Sequence, residues 1–211
     1  MKKIVYITLL SILLYTFSFA NQLQVYAEEQ GDSLKLTENA RASILIERDT
    51  GTILYEKNAH EQLPPASLTK VMTLILVMEA IDQGNLTLDE MVTVSENAAS
   101  MGGSQVFLAE GEQMSVDDLI KAVAIASAND ASVALAERIA GSESAFVKLM
   151  NEKAKQLNLE NTQFQNASGL PTPNHYTTAY DMAMMSKELL KYEDITKCTS
   201  IYEDYLRKGE E

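Results

Sequence analysis

The stretch LPPASLTKVMTLILVMEAI, residues 63–81, decides how this chain is read. Pro64 and Pro65 end whatever precedes them, because proline lacks the N–H that a helix interior or a central strand needs. From Ser67 the text reads as a helix to about Gln83, closed by Gly84. Val71, Met72, Leu74, Ile75, Leu76, Val77, Met78 and Ile81 run round almost its whole circumference. A helix apolar on every side is central in a core and needs covering from several directions. Lys70 stands on the first turn, three residues after Ser67, so the two side chains share a face. A serine hydroxyl is a poor nucleophile until a base stands beside it. Lysine serves as that base when neutral. Moving its pKa from about 10.4 to about 7 costs roughly 4–5 kcal/mol, which burial or a second cation supplies. Amide N–H groups at the helix start also favour an oxyanion. The competing reading of the pair is a capping serine beside a solvated lysine.

Working outward, ASILIERDTGTILYEKN holds two short apolar runs, Ser43–Glu47 and Thr52–Glu56, separated by the turn signal Asp49-Thr50-Gly51. This predicts a β-hairpin. Leu86 to Val94 reads as extended, Ser95 as a helix cap and 100–113 as a glycine-containing loop. Ser115-Val116-Asp117-Asp118 signals a helix through Ala126. Further helices are expected over Asp130–Ala140, Ser142–Leu157 and Thr178–Leu190, with a turn-rich segment before the last. The class is α/β in the α+β sense. Two strands do not make a stable sheet alone and cannot cover a helix as apolar as 67–83, so the packing asks for more strands than these residues supply.

The 211 residues suffice for about one domain, and 46% apolar content allows a real core. Lys2 and Lys3 precede an uncharged apolar run of 17 residues, Ile4 to Ala20, followed by small residues at signal-peptidase spacing. Residues 1–27 read as a signal peptide cleaved after Ala27, with Ala20 as second choice; the chain then works outside the cytoplasm. An uncleaved signal is the competing reading. Losing Lys2 and Lys3 takes the net charge from −13 to −15. That acidity, with no basic run, argues against a nucleic-acid partner. Cys198 is the sole cysteine, so no internal disulfide forms. His60 and His175 lack metal-ligand spacing; each is expected at the surface or in packing, and no metal or cofactor is expected.

A second motif, Ser127-Ala128-Asn129, falls between two predicted helices with small neighbours that leave room for a ligand. There a hydroxyl can pass a proton and an amide can hold a carbonyl. The plainer reading is an interhelix turn with capping side chains. Ser95-Glu96-Asn97 repeats the spacing and is read as a cap.

Ser67-Leu-Thr-Lys70 with Ser127-Ala-Asn129 resembles the first two signatures of the serine penicillin-recognising enzymes. ASLTKVMT, SANDASVALAE, NTQFQNASGLP and TTAYDMAMMSKELL are together similar to the low-molecular-mass serine-type D-alanyl-D-alanine carboxypeptidases of peptidase family S11, from about Ala40 to the C-terminus. The resemblance implies a β-lactamase/transpeptidase-like fold with a helical subdomain and an antiparallel sheet. It implies that Ser67 attacks the penultimate D-alanine carbonyl of a peptidoglycan stem peptide and Lys70 takes its proton. Ser127 would relay a proton, Asn129 would hold the peptide, and the Ser67 N–H would be half of an oxyanion hole. Asn166 to Leu170 would border the site. β-Lactams would acylate the same serine. The family's third signature, Lys-Thr-Gly or a close variant, is absent from the 211 residues. Residues 28–211 are therefore expected to be a C-terminally truncated domain with only the first strands of its sheet. The missing wall would weaken or abolish the activity of such a chain, and membrane contact would come only through an uncleaved signal or a missing C-terminal anchor. The alternatives are a class A-like β-lactamase, a non-catalytic peptidoglycan- or β-lactam-binding module, and a fragment that does not fold.

Overall fold

The computed structural model describes residues 36–207. The expected signal peptide, 1–27, lies outside the described residues. The hairpin forms as β1 (Ser43–Ile46) and β2 (Ile53–Lys57), antiparallel, with a register shift between Leu45 and Ile46. A second two-stranded sheet pairs β3 (Met91–Thr93) with β4 (Gln113–Ser115). The sequence reading placed only loop before Ser115, because a three-residue strand is too short to show a period.

The expected helix 67–83 divides in two. A 3-10 helix, Ala66–Thr69, leads into α1, Lys70–Asp82. The remaining helices are α2 (Glu96–Ala99), α3 (Val116–Ala126), α4 (Asn129–Ala140), α5 (Glu143–Gln156), α6 (Ala179–Leu189) and α7 (Glu193–Thr199). Caps fix their starts. The hydroxyls of Ser95, Ser115, Ser142 and Thr178 accept the amides of Ala98, Asp118, Ala145 and Asp181. Each satisfies one of the helix's orphan N–H groups. Among the described residues, no helix is long and apolar enough to cross a membrane.

The cover of α1 corrects an expectation. Strands were thought necessary, yet α4, α5 and α6 pack on this helix and bury nine of its thirteen residues. Met72, Ile75 and Val77 lie at the centre, with Phe146, Leu135 and Met185 around them. Helices suffice because their own apolar stripes close on it from separate directions. The hairpin sits beside this core: α6 packs on β1, and Tyr180 N–H donates to the Ala59 carbonyl at 2.9 Å.

Candidate active site

Ser67 lies exposed on the outer lip of the 3-10 helix, and Lys70 lies beneath it, buried at the first residue of α1. The 3-10 helix is what gives them this relation. Ala66 adopts φ +47°, a left-handed conformation that costs an alanine roughly 1–2 kcal/mol, and the chain turns sharply into the helix. Lys70 Nζ donates to Ser67 Oγ at 3.3 Å, to Asn129 Oδ1 at 2.7 Å and to the Ser168 carbonyl at 2.7 Å. All three ammonium protons thus have acceptors, and none of the acceptors is charged. Burial without a counter-ion pushes the lysine down from its ordinary value to about 8. Burial disfavours the charged form, and neutral acceptors only partly offset that. Once deprotonated, the amine can accept the Ser67 proton along the same 3.3 Å contact. The Ser67 amide N–H has no protein acceptor among the described residues, so it is available to an oxyanion.

Asn129 opens α4. Its side chain links Lys70 to the loop after α2, donating from Nδ2 to the Gly102 carbonyl at 2.6 Å. A Cβ on Gly103 would meet Nδ2 at 2.8 Å, so the loop passes closely only because that residue is glycine. The next residue, Asp130, is fully buried and accepts the amides of Val106 and Leu108, at 3.1 and 3.0 Å to Oδ2. Together they pin the 102–108 loop over the start of α4. Asn129 was expected to hold a carbonyl, and here its amide is occupied by Lys70 and Gly102. Ser127 closes α3 in the left-handed region, φ +55°, half-buried. Its hydroxyl joins none of these hydrogen bonds among the described residues. The structure thus brings Ser67, Lys70 and Asn129 into one network and leaves Ser127 beside it, two residues from Asn129.

The 166–170 loop forms the other wall. Asn166 Oδ1 accepts the amides of Ser168 and Gly169, at 3.2 and 2.6 Å, and its Nδ2 donates to the Leu170 carbonyl. Gly169 has φ +89°, and a Cβ there would sit 1.8 Å from the Ala66 carbonyl oxygen. Thr73 Oγ1 donates to the Ala167 carbonyl at 2.7 Å. Sequence reading missed the Ser168 carbonyl as a partner of Lys70, since a backbone acceptor leaves no residue-type signal. It also left His175 as a lone packing residue. The ring is indeed buried, and its Nε2 lies 2.8 Å from Thr69 Oγ1. His60 is exposed and stacks on Tyr180.

A helical body with small antiparallel sheets, and a serine–lysine pair at the start of its central helix, define the penicillin-binding-protein and β-lactamase-like transpeptidase class. D-alanyl-D-alanine carboxypeptidase DacD from Francisella tularensis superposes with a TM-score of 0.75 at 42% identity, over 76% of this chain and 39% of that one. Penicillin-binding protein D2 from Listeria monocytogenes, in a cefotaxime-bound form, superposes at 0.72 and 33% identity, over 81% and 70%. A profile of the D-alanyl-D-alanine carboxypeptidase family, peptidase S11, matches residues 27–210. D-alanyl-D-alanine carboxypeptidase DacF from Bacillus subtilis is 53% identical over 210 residues, covering 99% of this chain and 53% of the relative. The chain belongs to this family. It spans about half the length of the curated relatives it matches.

Proposed function

We propose that this chain carries the acylating half of a serine-type D-alanyl-D-alanine carboxypeptidase acting on peptidoglycan stem peptides outside the cytoplasm. Ser67 is the nucleophile. Neutral Lys70 takes its proton as the hydroxyl adds to the penultimate D-alanine carbonyl, and the Ser67 N–H steadies the oxyanion. Ser127 passes a proton to the departing D-alanine, and Asn129 turns from Lys70 to the peptide when substrate arrives. Water then releases the shortened stem. A β-lactam enters by the same step, because its amide presents a carbonyl to the same serine. Residues 28–211 form the catalytic domain and 1–27 the signal peptide. The relatives' names favour this reading over a β-lactamase.

One observation carries the proposal: a buried lysine with no charged partner, brought to about 8, lies 3.3 Å from an exposed serine in a member of this family. The 211 residues hold no Lys-Thr-Gly, so the purified chain is tested with the Ser67 N–H as its one assigned oxyanion donor. Losing one such donor costs about 10²–10³ in rate. Incubation with a fluorescent penicillin, read by gel and intact mass, is expected to label Ser67 slowly but to one equivalent, and Ser67→Ala is expected to stay unlabelled. No adduct after prolonged incubation, or an adduct that persists in Ser67→Ala, overturns the assignment.

A further inference from the structure

His175 stands outside the Ser67–Lys70–Asn129 network but against the turn that carries it. His175 is 7% exposed, and its ring is held on three sides. Gln165 N–H donates to Nδ1 at 3.3 Å. Phe164 meets the ring at 88°, with centroids 5.9 Å apart. Thr69 Oγ1 lies 2.8 Å from Nε2. An amide N–H only donates, so Nδ1 must offer a lone pair and the proton must sit on Nε2. The ring is therefore the neutral Nε2–H form and donates to Thr69.

The backbone around it is equally fixed. Tyr176 exchanges two hydrogen bonds with Gln163, and Thr177 exchanges two with Leu63, just ahead of the 3-10 helix. The 174–177 segment thus clamps both the chain entering the nucleophile turn and the loop whose Ser168 carbonyl holds Lys70. Thr69, fully buried between Ser67 and Lys70 in sequence, is where the imidazole closes this clamp on the turn itself.

We propose that His175 is a positioning residue for Ser67 and Lys70: as a neutral Nε2–H imidazole wedged between Gln165 and Thr69, it fixes the 3-10 turn against the 163–177 loop. The proposal rests on the acyl-transfer reading above. Protonation would put an Nδ1–H against the Gln165 N–H, donor against donor, and release the turn. Among the described residues, the groups that bond to or stack on the ring are Thr69, Gln165 and Phe164, and none of these is charged; burial pushes the imidazole below its ordinary value.

The test measures Ser67 acylation by a fluorescent penicillin, per folded molecule, in the purified chain and in two variants across about pH 5 to 8. His175→Ala is expected to slow acylation about tenfold to a hundredfold, the scale on which a small misplacement of reacting groups acts. His175→Gln, whose amide nitrogen still reaches Thr69, is expected to recover most of it. At the acid end of that range, below the ordinary imidazole value, the parent chain is expected to lose rate faster than tenfold per unit, as a second proton adds to the one on Lys70, while His175→Gln keeps the shallower slope. Ring-nitrogen NMR is expected to show the Nε2–H tautomer at neutral pH. An Ala variant that acylates at the parent rate, or an Nδ1–H tautomer, overturns the proposal. If the parent chain is not acylated at all, the acyl-transfer reading falls by itself. Amide exchange at Ser67 to Lys70 then decides for His175, with faster exchange in His175→Ala in favour and unchanged exchange against.

Discussion

At the residue scale the proposed chemistry turns on whether Lys70 can be made a base. Its three acceptors are a hydroxyl, an amide oxygen and a carbonyl, so none of its hydrogen-bond partners among the described residues carries the negative charge that would hold the ammonium in its charged form. At pH 7 a group with a pKa of about 8 is neutral about one-tenth of the time. Acylation of Ser67 is therefore expected to rise about tenfold per unit from pH 7 and to level off above about 8, measured as initial labelling rate against pH. Lys70→Ala is expected to lower that rate by about 10²–10⁴, the usual worth of a positioned base. The same shift has a sign in stability. Between about 8 and the ordinary lysine value the unfolded chain binds more protons than the native one, so this group's contribution rises with pH through that window. That Ser67 and Lys70 meet was legible because residues three apart on a helix share a face. Asn129 was singled out by its place in a tight turn, but its bond to Lys70 was not foreseen. The Ser168 carbonyl and the His175–Thr69 bond were not legible. Each joins residues about a hundred positions apart, and neither depends on a local period.

At the scale of elements, the wall formed by 166–170 depends on one backbone position. Gly169 is both left-handed and pressed against the Ala66 carbonyl. Gly169→Ala adds a methyl group where backbone already stands, so the loop must move off the nucleophile turn, and Lys70 loses its Ser168 acceptor with it. The expected cost is about 3 kcal/mol or more, read as a fall in the urea midpoint, with slower penicillin labelling in the molecules that remain folded. The helices themselves were legible to within a residue or two, because their caps are local. Ser115, Ser142 and Thr178 each announce a start, and Gly141 ends α4 at φ +77°. Strand β4 and helix α7 were not legible. β4 is defined by its partner, Met91 to Thr93, rather than by its own three residues, and α7 by packing against α3.

At the scale of the molecule, the core closes round α1, but the hairpin is less well covered. Leu45, Ile53 and Leu54 are 52%, 43% and 60% exposed on a sheet of two strands. Among the described residues neither strand pairs with a third, and an apolar sheet edge left unpaired invites pairing with other chains. The purified chain is expected to elute larger as its concentration rises in size-exclusion chromatography, and Leu54→Lys is expected to reduce this without changing penicillin labelling. Apolar residues on so short a sheet could be foreseen; that α4, α5 and α6 together would cover the central helix could not, because only assembled stripes show it. The site also has a history in time. Lys70 meets Asn129 across 59 residues and Ser168 across 98, and Thr69 meets His175 across 106. Loops of that length close late in folding, after local helices have formed. A newly made chain therefore carries its serine as an ordinary, unreactive alcohol until the last third of the polypeptide has arrived and docked. On the acyl-transfer reading, covalent capture of that serine then follows folding: the labelling rate at any moment scales with the number of molecules that have finished.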